Sequence, residues 1–188
     1  FSPLVKQTAP AVVNVYADRT VTSRSPFDGD PFFEQFFGRS LPNRTQKQSS
    51  LGSGVIVRAD GLIVTNNHVI EDAQRLTVTL ENGESFPAQI VGRDDITDLA
   101  VIRIQADGLQ PAKLGVSAEV EVGQDVIAIG HALGLPGGPT VSKGVVSALA
   151  RSINTEQNNT TVDLIQTDAS INPGNSGGAL ANTASEVI

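Results

Sequence analysis

Three short segments of this sequence hold residue types able to combine into a nucleophilic catalyst. A serine lies in Asn172-Pro173-Gly174-Asn175-Ser176-Gly177-Gly178, a histidine in Thr65-Asn66-Asn67-His68-Val69-Ile70, and an aspartate in Thr97-Asp98-Leu99-Ala100-Val101. A serine hydroxyl is a weak nucleophile until a neighbouring base takes its proton, and that base works best when a third group orients it. Acyl transfer also needs donors for the developing oxyanion, most simply backbone N–H groups converging about 3 Å from it. Gly174, two residues before Ser176, lets the backbone turn so that its amide and the serine's own face one point, with the Asn175 amide as an additional donor. Gly177 and Gly178 keep side chains out of the cleft. Each segment taken singly has a plainer explanation. A tight glycine turn holds serines by accident, a histidine after a strand is often a packing residue, and an aspartate at a strand entrance is often a turn residue.

Such residues need a rigid frame, and the surrounding sequence supplies strands. Short runs rich in Val, Ile and Leu predict strands at Val12–Tyr16, Gly54–Val57, Leu62–Thr65, Leu76–Leu80, Phe86–Val91 and Leu99–Ile104. A second set is predicted at Val126–Ile129, Thr140–Leu149, Leu164–Gln166 and Ala179–Leu180. Asp60-Gly61 and Asn82-Gly83 read as hairpin turns. No segment sustains a 3.6-residue period, so helix is minor, and strands at this spacing imply barrels or a sandwich. From Thr22 to Ser50 a long polar loop is expected, interrupted by Pro31-Phe32-Phe33-Glu34-Gln35-Phe36-Phe37-Gly38, whose phenylalanines fall on one helical face. Loops of that length are more often functional or disordered than inert. Ile153–Thr161 reads as an exposed polar loop.

Composition removes other classes of function. The 188 residues include no cysteine and two histidines, which excludes disulfides and thiolate chemistry and argues against a metal site. A net charge of −7 without a basic cluster argues against nucleic acid. Nothing approaches the run of about 18 apolar residues that a membrane span requires, and Phe1-Ser2-Pro3-Leu4 is not the start of a signal peptide.

The order His68, Asp98, Ser176 is the order of the chymotrypsin-type triad, distinct from the subtilisin and α/β-hydrolase orders. The segments around these residues, with Gln166-Thr167-Asp168-Ala169-Ser170-Ile171 leading into the serine loop, closely resemble the HtrA (Deg) family of serine proteases. The likeness runs from about Leu51 to Gly178 and, more faintly, from Pro10. It implies an all-β chymotrypsin/trypsin-like fold of two six-stranded-type β-barrels, the first over 1–108 with its long loop at 22–50, the second over 109–188. Because the family continues into further strands and then usually a PDZ domain, the second barrel is expected to be incomplete and a PDZ domain is not expected within these 188 residues.

The resemblance further implies an endopeptidase with catalytic His68, Asp98 and Ser176 and an oxyanion hole from Gly174, Asn175 and Ser176. Ile171 would line the primary pocket and favour cleavage after small aliphatic residues. Substrates would be unfolded or misfolded proteins, no cofactor would be needed, and the setting would be the bacterial periplasm or another exported location. A homotrimer or a multiple of trimers is implied, with Phe1, Tyr16 and the phenylalanine loop as candidate contacts. Asn175 stands where digestive relatives carry an aspartate that pairs with a new N-terminus, so activation by N-terminal trimming is not expected. Loop ordering is the implied control. His131, in Gly130-His131-Ala132-Leu133-Gly134, departs from the family's usual Asn-Pro and reads as structural or surface. The rivals are a non-catalytic chaperone or scaffold that binds unfolded chains, and an esterase using the same triad, which the chain order and barrel pattern oppose.

Overall fold

The computed structural model describes residues 1–23, 44–131, 138–154 and 161–188, with the side chains of 21–23, 44–47, 151–154 and 161–162 left aside. The chain opens with a helix, Ser2–Thr8, and a 3₁₀ turn, Ala9–Ala11. Strands follow at Val12–Ser23 (β1), Arg44–Ile56 (β2), Leu62–Asn66 (β3), Arg75–Thr79 (β4), Ser85–Pro87 (β5), Gln89–Asp94 (β6) and Leu99–Arg103 (β7). The second set is Lys113–Leu114 (β8), Asp125–Gly130 (β9), Thr140–Asn154 (β10), Thr161–Thr167 (β11), Ala179–Ala181 (β12) and Glu186–Val187 (β13). The all-β expectation holds.

The first sheet runs β5-β4-β1-β2-β3-β7-β6, and its two edges are consecutive pieces of one bent strand. The corner is Ala88, whose amide donates to Leu76 O, so the sheet closes into a barrel. The single strand expected over Phe86–Val91 is therefore two, because one segment must pair with both β4 and β7. Val13, Val15, Ala17, Ile56, Ile63, Ile70, Val78 and Ile102 fill the interior, all fully buried. Each of the Val and Ile side chains among them contributes about 1.5–3 kcal/mol.

The second sheet, β11-β10-β9-β12-β13-β8, remains open at its β11 and β8 edges, so the second barrel is incomplete among the described residues. β8 and β13 pair in parallel and escape a sequence reading because each has only two residues. Alternation along β1 and β2 joins the sheets. Val13 and Val15 point into the first barrel, while Val12 and Val55 pack with Ile127, Ile129, Ala179 and Ala181 of the second.

The loop expected over Thr22–Ser50 is shorter than its sequence suggests. β1 and β2 pair from Val12↔Val55 out to Ser23↔Arg44, so both ends of that stretch are strand. Polar residues suit this arm because a two-stranded ribbon has little core to face. The phenylalanine cluster lies outside the described residues, as does the middle of the loop expected at Ile153–Thr161, whose ends belong to β10 and β11. The N-terminal helix is short, and its sequence carries no 3.6-residue pattern long enough to show it.

Candidate active site

His68 sits on a helical turn, Asn67–Ile70, that begins where β3 ends. Asp98 closes the turn between β6 and β7. β3 and β7 are neighbours, paired through Asn66↔Leu99, and that register brings the two residues together. One Asp98 carboxylate oxygen accepts the His68 backbone N–H at 2.8 Å, and the other lies 2.6 Å from His68 Nδ1. The Asp98 carbonyl accepts from the Asn67 amide and from Asn66 Nδ2, both at 2.9 Å. Asn67 Nδ2 also reaches Asp95 at 2.7 Å.

These bonds hold Asp98 at φ 56°, a left-handed conformation that costs a non-glycine residue about 1–2 kcal/mol. An ionised carboxylate can only accept. In the neutral imidazole the ring proton therefore sits on Nδ1, and Nε2 keeps a free lone pair. The far end of the helical turn is held as well. Arg19 donates to the carbonyls of His68 at 3.2 Å, Val69 at 3.0 Å and Glu71, and Ser50 Oγ donates to Val69 O at 2.8 Å. About half of each side chain in the His68–Asp98 pair is exposed, so the ring can meet a solute.

Ser176 lies between β11 and β12, in a loop built from two successive turns. Asn175 N donates to Asn172 O at 3.0 Å around Pro173 and Gly174, whose φ of 99° makes this a type II turn. Gly178 N then donates to Asn175 O at 2.8 Å around Ser176 and Gly177. Gly177 has φ 87°, and a Cβ on it would stand 2.0 Å from Ser53 O. A Cβ on Gly178 would stand 2.4 Å from Ile129 O. The glycines after the serine are thus required by close packing of the loop on β2 and β9, a tighter demand than an open cleft. The Asn175 amide, expected as an additional oxyanion donor, is engaged inside the loop. Among the described residues the amides of Gly174 and Ser176 have no such partner.

The two halves meet across β2. Gly52 lies close to both Val69, the neighbour of His68, and Ser176. A Cβ there would fall 2.7 Å from Val69 and 3.2 Å from Ser176 O. Ser53 N donates to Ser176 O at 2.8 Å. Sequence reasoning passed over Gly52, Ser53, Asn66, Asn67 and Arg19. For the asparagines their adjacency to His68 was a usable signal, whereas Arg19 carried none.

Ile171 is exposed on the approach to the serine loop. Asp168, the acid closest to it in that segment, is exposed and accepts the Val145 amide at 2.7 Å through one carboxylate oxygen. The Asn175 side chain is packed against Gly130, where a Cβ would come within 2.6 Å of Asn175 Oδ1.

His131 is buried. Its amide donates to Ser53 Oγ at 2.8 Å, and its Nε2 lies 3.3 Å from Val12 O. Burial pushes its pKa below the ordinary 6.5, only partly offset by the Val12 carbonyl and the charge of Glu81. Between the ordinary and the lowered value the unfolded chain binds more protons than the folded one. The stabilising contribution of neutral His131 is therefore complete above 6.5 and declines as pH falls through that interval. The urea midpoint of wild type should drop more steeply than that of His131→Gln as pH is lowered from 7 to 5. Equal slopes would show that His131 does not drive the loss.

The chain matches the trypsin-like peptidase domain over residues 52–188. It is 44% identical to the putative serine protease HhoA of Synechocystis sp., across 98% of this chain and 48% of that protein. It is 41% identical to a probable periplasmic serine endoprotease, DegP-like, of Marinomonas sp., across 100% of this chain and 42% of the relative. Among solved structures, the HtrA-type protease AlgW with tripeptide superposes with a TM-score of 0.79 at 39% identity, covering 100% of this chain and 52% of that one. AlgW with decapeptide gives 0.77 at 42% identity, covering 100% and 57%. The chain spans about half the length of the curated relatives it matches.

Proposed function

Because this chain belongs to the trypsin-like peptidase family, in its HtrA (Deg) branch, we propose that it is the catalytic core of a serine endopeptidase acting on unfolded proteins. The observation that carries the reading is the 2.6 Å bond from His68 Nδ1 to Asp98, in a turn that approaches the Ser176 backbone beside Gly52. Ser176 Oγ attacks the scissile carbonyl carbon as His68 Nε2 takes the hydroxyl proton. The resulting oxyanion is held by the amides of Gly174 and Ser176. Collapse breaks the C–N bond, and His68 returns its proton to the leaving amine. Water then attacks the acyl-enzyme with His68 again as base, releasing the new carboxyl end and restoring Ser176.

The primary pocket is assigned to the neighbourhood of Ile171, an exposed apolar residue, and Asp168, the only acid in that segment, has one oxygen tied to the Val145 amide. Cleavage should follow Val, Ala and similar residues. The barrels are taken as 1–108 and 109–188. Assembly into a trimer through the N-terminal region, control by ordering of the loops around Ser176, and a periplasmic or otherwise exported setting belong to the same reading. It is supported by relatives named as periplasmic endoproteases.

Incubation of the intact protein with casein and with a peptide library tests it. Casein should be degraded, a fluorophosphonate should label Ser176, and the library profile should peak after small aliphatic residues. Intact casein with no labelling would reject the enzyme, and a profile peaking after Lys or Arg would reject the pocket.

A further inference from the structure

Ser53 is a polar residue with no exposed surface, and the catalytic chemistry does not use it. It lies on β2, on the face turned toward the second sheet, and it grips the serine loop twice. Its backbone N–H donates to Ser176 O at 2.8 Å, and its Oγ contacts Gly174 O at 2.8 Å. Its Oγ also contacts His131 N at 2.8 Å, and its carbonyl accepts from Thr65 Oγ1 at 2.7 Å.

The direction of this chain is fixed by chemistry. An amide nitrogen only donates and a carbonyl only accepts, so the bonds run His131 N–H to Ser53 Oγ–H to Gly174 O. The peptide joining Gly174 to Asn175 is held at both edges, by Ser53 at its carbonyl and by Asn172 O at its N–H. The carbonyls of Gly174 and Ser176, the residues on either side of Asn175, are both tied to Ser53, while the Gly174 and Ser176 amides are not tied to any described residue.

We propose that Ser53 is a positioning residue of the first barrel that sets the orientation of the oxyanion-binding amides in the second. The idea rests on Ser176 as nucleophile. The alternative, a merely structural hydroxyl, would affect stability alone. Displacing donors by a fraction of an ångström weakens transition-state binding and leaves ground-state substrate binding almost untouched, so kcat and KM report separately.

The test uses the intact protein and Ser53→Ala, with the first-barrel core variant Ile102→Val as a control for general destabilisation. Rates on a peptide anilide with Val before the scissile bond are normalised to folded protein. Ser53→Ala should lose about tenfold to a hundredfold in kcat with KM within about threefold. Affinity for a peptide boronate, which needs the oxyanion donors, should fall in parallel. Ile102→Val should lower the melting temperature and keep kcat. An Ser53→Ala variant with wild-type kcat and boronate affinity per folded molecule would overturn the proposal. Should the alanine variant not fold, Ser53→Cys decides, since its thiol keeps the shape but donates weakly. A kcat loss with KM unchanged supports the role, and full activity rejects it. Cleavage surviving in Ser176→Ala would instead defeat the reading of the site itself.

Discussion

Ser176→Ala should abolish casein cleavage, with kcat falling about 10⁶-fold, while the protein keeps its fold. The size follows from what the substitution removes. Without Oγ there is no acyl-enzyme route, and only binding and the oxyanion donors remain. The bonds that hold the loop run from Ser53 N to Ser176 O, from Ser53 Oγ to Gly174 O, from Asn175 N to Asn172 O and from Gly178 N to Asn175 O. None needs the Ser176 hydroxyl, so the melting temperature should move by no more than a few degrees. Circular dichroism beside the cleavage assay checks both halves. Retained cleavage would remove Ser176 from the mechanism, and lost cleavage with lost ellipticity would mean that the serine is structural.

Asp98→Asn is expected to lower kcat by about 10⁴-fold, again without unfolding. Asp98 uses both oxygens as acceptors, one from the His68 amide and one from Nδ1. An asparagine has a single acceptor oxygen. The backbone N–H can only donate, so the amide oxygen must face it and the NH₂ must face the ring. His68 Nδ1 then becomes an acceptor, its proton moves to Nε2, and Nε2 can no longer take the proton from Ser176. Asparagine also tolerates the left-handed backbone that residue 98 adopts at φ 56°. The loss should therefore appear in kcat and not in the melting temperature. A variant within tenfold of wild type would show that the tautomer is not what Asp98 controls.

Both expectations start from residues that the sequence already singled out, yet neither could be argued without the fold. The strand runs of Val and Ile showed the all-β class, because strand periodicity and turn residues are local signals. Their boundaries were less legible. β1 and β2 extend through polar residues because pairing with each other satisfies their backbone groups where no core selects apolar side chains. β8 is defined only by its pairing with β13, and β13 by its pairing with β8 and β12. The bend at Ala88 has no local signature, since the barrel's closure imposes it.

The site shows the same division. The sequence by itself determined the three reactive residue types, their chain order, the glycines around Ser176 and the family likeness, because these depend on identity and spacing. Tertiary structure decided which atoms face one another. It turned Asp98 onto both donors of His68, drew the Asn175 amide into the loop's own turn, sent Asp168 to Val145 and buried His131 behind Ser53. Those outcomes depend on strand register and on contacts between residues far apart in sequence. A hydrogen bond forms only where two partners converge within about 3 Å, and no one-dimensional spacing fixes that distance.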